Sequence, residues 1–140
     1  MKIEMQRVNE DYLFEAKGKS GVPILIDNTV NGVSKGASPM ELLLMGVGGC
    51  SAIDVIHILK KQRQEITHYS IEVDGNREVV KEAKPFKTIN VHITLEGNIT
   101  PEKAIRAAEL SFEKYCSVSI TLEKSVIVNY EITLNSVKIV

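Results

Sequence analysis

The segment from Ser38 to Gln62 constrains this chain more than any other. Ser38 can cap a helix, Pro39 suits a first helical position, and Glu41 stands three residues after Ser38, the capping-box spacing. From Pro39 to about Gln62 the chain is helix-compatible. Leu42, Leu43, Leu44, Met45, Val47, Ile53, Val55, Ile56, Ile58 and Leu59 leave almost no polar face before Lys60. A helix apolar all round is a buried helix. Gly46, Gly48 and Gly49 stand inside it, and each costs about 1 kcal/mol relative to alanine in a helix interior. Such glycines are tolerated where another backbone or a ligand comes close. A buried helix this long exceeds what a 140-residue monomer readily surrounds. The pattern therefore predicts a homodimer in which two such helices pack together.

Shorter elements flank the helix. Ile3, Met5 and Arg7 alternate with charged or polar neighbours. Tyr12, Phe14 and Ala16 alternate with Asp11, Leu13, Glu15 and Lys17, and Asn9-Glu10-Asp11 lies between the two runs, which reads as a hairpin. Gly18 to Gly21 form a further turn before a third short strand at Pro23–Ile26, and Asn31, Gly32, Ser34 and Gly36 suit a loop. After the helix, Tyr69, Ile71 and Val73 alternate with His68, Ser70, Glu72 and Asp74. A turn is expected at Gly75-Asn76, and Glu78-Val79-Val80 would continue a strand. Ile89, Val91, Ile93 and Leu95 alternate with Thr88, Asn90, His92 and Thr94. Thr100-Pro101 is a second cap-and-proline start, with Ile105, Ala108, Phe112 and Tyr115 as one apolar stripe running to Cys116. Ser117 to Lys124 is open between loop and a short helix beginning at Cys116. Val126, Val128, Tyr130 and Ile132 make a last strand. Mostly hairpin-linked strands with interspersed helices define an α+β class, in one domain covering 1–140.

Composition narrows the function. Seventeen basic and eighteen acidic side chains give a net charge of −1, without the basic excess of a nucleic-acid binder. No run of 18 or more uncharged apolar residues occurs, so no membrane span is expected. Met1 to Arg7 lacks the apolar core and cleavage site of a signal peptide, which makes the cytoplasm the default. In such a reducing compartment two cysteines do not form a disulfide framework, and two ligands alone do not make a zinc site.

The cysteines are nevertheless where chemistry could reside. Cys50 lies mid-helix, with Asp54 one turn on and His57 nearly two, on the face of Gly46. On the residues alone it reads first as a small buried apolar residue. A carboxylate so near raises a thiol pKa, whereas the adjacent glycines leave room for a substrate. Cys116 differs: a helix opening there would favour thiolate through its N–H groups and dipole, and it reads equally as a buried cysteine at the end of the Phe112–Tyr115 stripe. His57, His68 and His92 are scattered, two of them on the outward faces of strands. Glu41 is a candidate general base, though the capping box explains it without one. No GxxxxGK[ST], HExxH or CxxC motif is present.

Taken together, Ser38-Pro39-Met40-Glu41-Leu42-Leu43-Leu44, then Gly48-Gly49-Cys50 and Asp54, resemble the helix signature of the OsmC/Ohr family of osmotically induced and organic-hydroperoxide-resistance proteins. Tyr115-Cys116-Ser117-Val118-Ser119 with Thr121-Leu122 resembles that family's second cysteine motif. The resemblance spans nearly the whole chain. It implies an intertwined homodimer whose antiparallel sheets wrap two long central helices. It also implies a thiol-dependent peroxidase serving oxidative-stress defence. Cys50 would attack an organic hydroperoxide and become a sulfenic acid, and Cys116 would resolve it as a disulfide for an external thiol to reduce. Glu41 would line the pocket, with no metal or organic cofactor. The hydroperoxidase branches carry glutamate directly after the helix proline, where this chain has Met40, and an arginine in the early strands, where Val8–Ala37 has none. The resemblance is therefore to the OsmC-like branch. Other readings from the residues are a non-catalytic dimer binding a small apolar or thiol-bearing ligand, and sulfur or acyl handling on Cys50.

Overall fold

The computed structural model describes every residue except Thr29 and Asn31. Asn31, read above as a turn former, thus lies outside the described residues. The chain forms two compact units, Met1–Leu43 and Leu44–Val140.

The first unit holds a three-stranded antiparallel sheet of β1 (Glu4–Arg7), β2 (Phe14–Lys17) and β3 (Ile24–Ile26) in that order. The hairpin forms as expected, with Met5 opposite Ala16 and Arg7 opposite Phe14. Its turn is organised by Asn9, whose Oδ1 accepts the N–H groups of Asp11 at 3.0 Å and Leu13 at 3.1 Å. Leu13, grouped by alternation with outward residues, is instead buried, because it belongs to this turn and not to the strand. The unit ends in the capping box. Ser38 N–H donates to Glu41 Oε2 at 2.6 Å, and Glu41 N–H donates to Ser38 Oγ at 3.2 Å.

That box starts α1 (Pro39–Lys61), which continues through the second unit. Lys60 and Lys61 in its last turn complement the helix dipole. The helix is not buried all round. Only Val47, Gly48, Ser51, Val55 and Leu59 are buried, while Met45 is 58% and Ile53 71% exposed. Its apolar composition therefore serves two faces, one against the chain's own sheet and one turned outward. By length and composition α1 is also apolar enough to cross a membrane, which corrects the expectation that no segment is. Gly48 explains its own presence: a Cβ there would lie 2.9 Å from Val73 Cγ2.

The sheet of the second unit has the order β4 (Glu65–Arg77), β5 (Phe86–Asn98), β6 (Ile127–Leu134), β7 (Val137–Lys138). β4 and β5 are antiparallel, β5 and β6 parallel, β6 and β7 antiparallel. β5 is central, and Ile89, Val91, Ile93 and Leu95 are essentially inaccessible. Each such side chain contributes about 1.5–3 kcal/mol of burial. Ile71, Ile93 and Ile132 stand in one row across three strands. The expected turn at Gly75-Asn76 is instead strand. Gly75 lies beneath the ring of Phe86 on β5, where any side chain would collide with that ring. The reversal comes later. Val80 and Ala83 exchange backbone hydrogen bonds at 2.9 and 3.0 Å, so Glu78–Val80 do not extend β4. Together the sheets and helices make the expected α+β class, but the larger sheet is mixed and not antiparallel throughout, because β5 and β6 run parallel.

A parallel β5–β6 pair requires a crossover, and the crossover is helical. It comprises α2 (Pro101–Leu110), a π-helical turn at Ser111–Tyr115, and α3 (Ser117–Leu122). Thr100 occupies the N-cap of α2 without a side-chain capping bond. The buried stripe is Ala104, Ala107, Ala108 and Ser111; Tyr115 is 49% exposed, contrary to the expected register. The π-turn shifts the helical phase after Leu110 and so rotates Tyr115 outward. Phe112 remains inward, stacked on Tyr130 of β6 with centroids 4.7 Å apart.

Candidate functional site

The fold brings the two cysteines together. Cys50 Sγ, Cys116 Sγ and a carboxylate oxygen of Asp54 lie within 4.8 Å of one another. Both cysteines are free thiols. Cys50 and Asp54 are four residues apart on α1, so they share one helix face. Cys116 arrives from the crossover, carried by the junction between the π-turn and α3.

That junction is held by hydrogen bonds. Cys116 N–H donates to Ser111 O at 2.7 Å, the bond of a π-turn. Ser111 is fully buried, and its Oγ–H donates to Asp54 Oδ2 at 3.1 Å. One residue thus sets the approach of Cys116 and orients the carboxylate beside it. On the other side, Cys116 is the N-cap of α3. Its sulfur accepts Ser119 N–H at 3.4 Å and lies 3.1 Å from Ser119 Oγ.

Of the readings left open after Cys116 the structure has the short helix, but burial outweighs the thiolate preference that a helix start confers. Burial pushes the Cys116 thiol above its ordinary value, and the two bonds from Ser119 oppose this without overcoming it. The neighbouring Cys50 adds to the upward shift. A single capping turn cannot offset the removal of a thiolate from water. Burial and Cys50 both favour the protonated form of Cys116.

Of the other candidates, Glu41 belongs to the first unit, where the capping bonds to Ser38 hold its carboxyl below the usual range. His68 is exposed, and His92 is half-buried with Nε2 2.9 Å from Thr133 Oγ1 across the β5–β6 pair. His57 is exposed on α1 and joins Asp54, Lys61, Gln62, Leu110 and Tyr115 around a recess of about 550 Å³. Gln62 Oε1, buried there, has no hydrogen-bond partner among the described residues. Gly49 has open space where a side chain would be, in keeping with room beside Cys50. Sequence reasoning missed Ser111, and it named Ser119 only within the second cysteine motif, without a role. Ser119 carried a signal, standing three residues after a capping position. Ser111 carried none beyond being a serine in a stripe of alanines.

Residues 32–131 match the OsmC family model, described as OsmC-like protein. The chain is 42% identical over 120 residues to Protein YhfA of Escherichia coli (strain K12), covering 84% of this chain and 86% of that protein. A crystal structure from Aquifex aeolicus VF5 superposes with a TM-score of 0.82 at 33% identity, covering 96% of each chain. The fold is also that of the organic hydroperoxide resistance protein OhrB of Bacillus subtilis, with a TM-score of 0.64 at 22% identity, covering 94% of this chain and 96% of that one. Matched by the family model over residues 32–131 and by a relative 42% identical over 84% of its length, the chain belongs to the OsmC-like protein family.

Proposed function

We propose that this protein is a cytoplasmic, thiol-dependent peroxidase that reduces organic hydroperoxides through a Cys50–Cys116 cycle. The observation that carries the reading is the approach of two thiols, 66 positions apart in sequence, to within 4.8 Å beside one carboxylate. In the first step the Cys50 thiolate attacks the terminal oxygen of ROOH. The O–O bond breaks, its electron pair leaves with RO⁻, and a proton converts that to ROH. Cys50 is oxidised by two electrons to the sulfenic acid. In the second step the Cys116 sulfur attacks the Cys50 sulfur. The S–O bond breaks, and the hydroxyl leaves with the Cys116 proton as water. An external dithiol then reduces the disulfide. Asp54, oriented by Ser111, is placed to relay the Cys116 proton. Keeping Cys116 protonated until the sulfenic acid forms suits a resolving thiol, because the first oxidation then falls on Cys50. Glu41 enters as the cap of the helix that carries Cys50.

The same reading takes the working form to be an intertwined homodimer. Met45 and Ile53, eight residues apart on one face of α1, are exposed apolar side chains that a second copy would cover. A second reading, a non-catalytic dimer binding a small ligand, is favoured by the recess around His57, Lys61 and Leu110.

Intact mass under non-reducing conditions separates the two. One equivalent of cumene hydroperoxide should remove two hydrogens from the wild type within minutes, and hydrogen peroxide should do so more slowly. Neither Cys50→Ser nor Cys116→Ser should form the intramolecular disulfide. Wild type that stays reduced over hours would sink the peroxidase and leave the binding protein.

A further inference from the structure

The cluster that would carry the redox cycle has a composition the cycle does not require. Two thiols suffice for a disulfide; a carboxylate within 4.8 Å of both sulfurs, fixed by a buried serine, is a third donor. We propose that reduced Cys50, Cys116 and Asp54 form a binding site for a thiophilic divalent cation of the zinc type, and that cation and disulfide are mutually exclusive occupants. The inference does not rest on the peroxidase reading, since it needs only reduced thiols.

The donor set fits. Zinc takes sulfur at about 2.3 Å and carboxylate oxygen at about 2.0–2.2 Å in a tetrahedron, which sets its donor atoms roughly 3.5–3.8 Å apart. Three atoms within 4.8 Å need to close by about an ångström, within reach of side-chain rotation. The surrounding bonds are those that steady metal ligands. Ser111 Oγ holds one oxygen of Asp54, and Ser119 offers N–H and Oγ–H to the Cys116 sulfur. Two thiolates and a carboxylate carry three negative charges against two positive. Binding exchanges the two thiol protons for the cation and ties both sulfurs to it, so they cannot pair with each other while it is bound. Three protein donors leave the fourth position open to water or a small thiol. Cys50 and Asp54 are only half-buried, which gives the ion a route in. Neither the 66-residue separation nor the lack of a CxxC motif pointed to a metal, because the third ligand is a carboxylate on the same helix as the first.

The test uses the full-length protein, reduced, metal-free and under nitrogen. Zn²⁺ is titrated against a chromophoric chelator, and Co²⁺ serves as a spectroscopic probe. One ion per chain should bind, with sulfur-to-cobalt charge-transfer absorption and the intense visible bands of a tetrahedral site. Asp54→Asn should weaken Zn²⁺ binding by at least about tenfold. Cys50→Ser, Cys116→Ser and diamide-oxidised wild type should lose the charge-transfer signal or most of its intensity. Far-UV circular dichroism of each variant confirms that it is folded. No stoichiometric Zn²⁺ binding by reduced wild type would overturn the proposal. So would binding that Asp54→Asn and Cys116→Ser leave unchanged. Hydroperoxide reactivity of the metal-free protein is measured separately, so either idea can fail alone.

Discussion

Of three glycines in α1, Gly48 should respond differently from Gly46 and Gly49 to the same change, and the difference is set by β4. Gly→Ala in a helix interior gains about 1 kcal/mol from propensity alone. At Gly49 nothing lies within 4 Å of the new Cβ, so Gly49→Ala should keep that gain. At Gly46 the Cβ would lie 3.5 Å from Val118 Cγ1, an ordinary contact, and the gain should again survive. At Gly48 it would lie 2.9 Å from Val73 Cγ2, a branched side chain with little freedom on its strand. Overpacking of that kind costs about 1–3 kcal/mol, which cancels or exceeds the propensity gain. Gly48→Ala should therefore be neutral to destabilised by about 2 kcal/mol. Urea unfolding followed by circular dichroism, at one fixed protein concentration, measures all three. In a Val73→Ala background the Gly48→Ala change should become stabilising, because the obstructing methyl is gone. If Gly48→Ala stabilises wild type as much as Gly49→Ala does, the packing of α1 on β4 is wrong. If Gly49→Ala destabilises instead, something outside this chain covers that face, as a second copy would.

Further expectations follow from single residues. Ser111→Ala removes the donor to Asp54 and should cost about 1–3 kcal/mol, read by the same unfolding assay; a change within error would mean that water replaces the hydroxyl without loss. Thiolate absorbance of Cys50→Ser should show Cys116 titrating above the ordinary thiol range, and higher still in wild type, where Cys50 adds to the shift. The fold contribution of this thiol is complete below the ordinary thiol value and is lost as pH rises through the raised folded one, so stability should decline at alkaline pH and less so in Cys116→Ser. Ser38→Ala should cost about 1 kcal/mol of helix capping. Because the Glu41 carboxyl is lowered, its contribution is present above the ordinary carboxylate value and lost as pH falls through the lowered one, a loss that the variant should show less of. Ile93→Ala, at the centre of the sheet, should cost about 2–5 kcal/mol.

What the sequence determined by itself is what depends on neighbours within a few positions. The capping box of Ser38 and Glu41, the Asn9 turn and the alternation of Ile89 to Leu95 need only local spacing, and all were legible. Local pattern failed where a distant partner decided the outcome. Gly75 reads as a turn until the ring of Phe86 is laid over it. The phase of the crossover reads as one continuous helix until the π-turn resets it, which no periodicity of 3.6 discloses. Cys116 reads equally as an activated thiol at a helix start and as a buried cysteine until the fold is known, and burial outweighs the local bonds because desolvation acts on the whole charge. The site itself belongs to this second kind. Cys50 and Asp54 were visible as one helix face, but that Cys116 and Ser111 meet them is a property of the parallel β5–β6 pairing. That pairing obliges the chain between the strands to cross over as helix, and the crossover carries the second sulfur to the first.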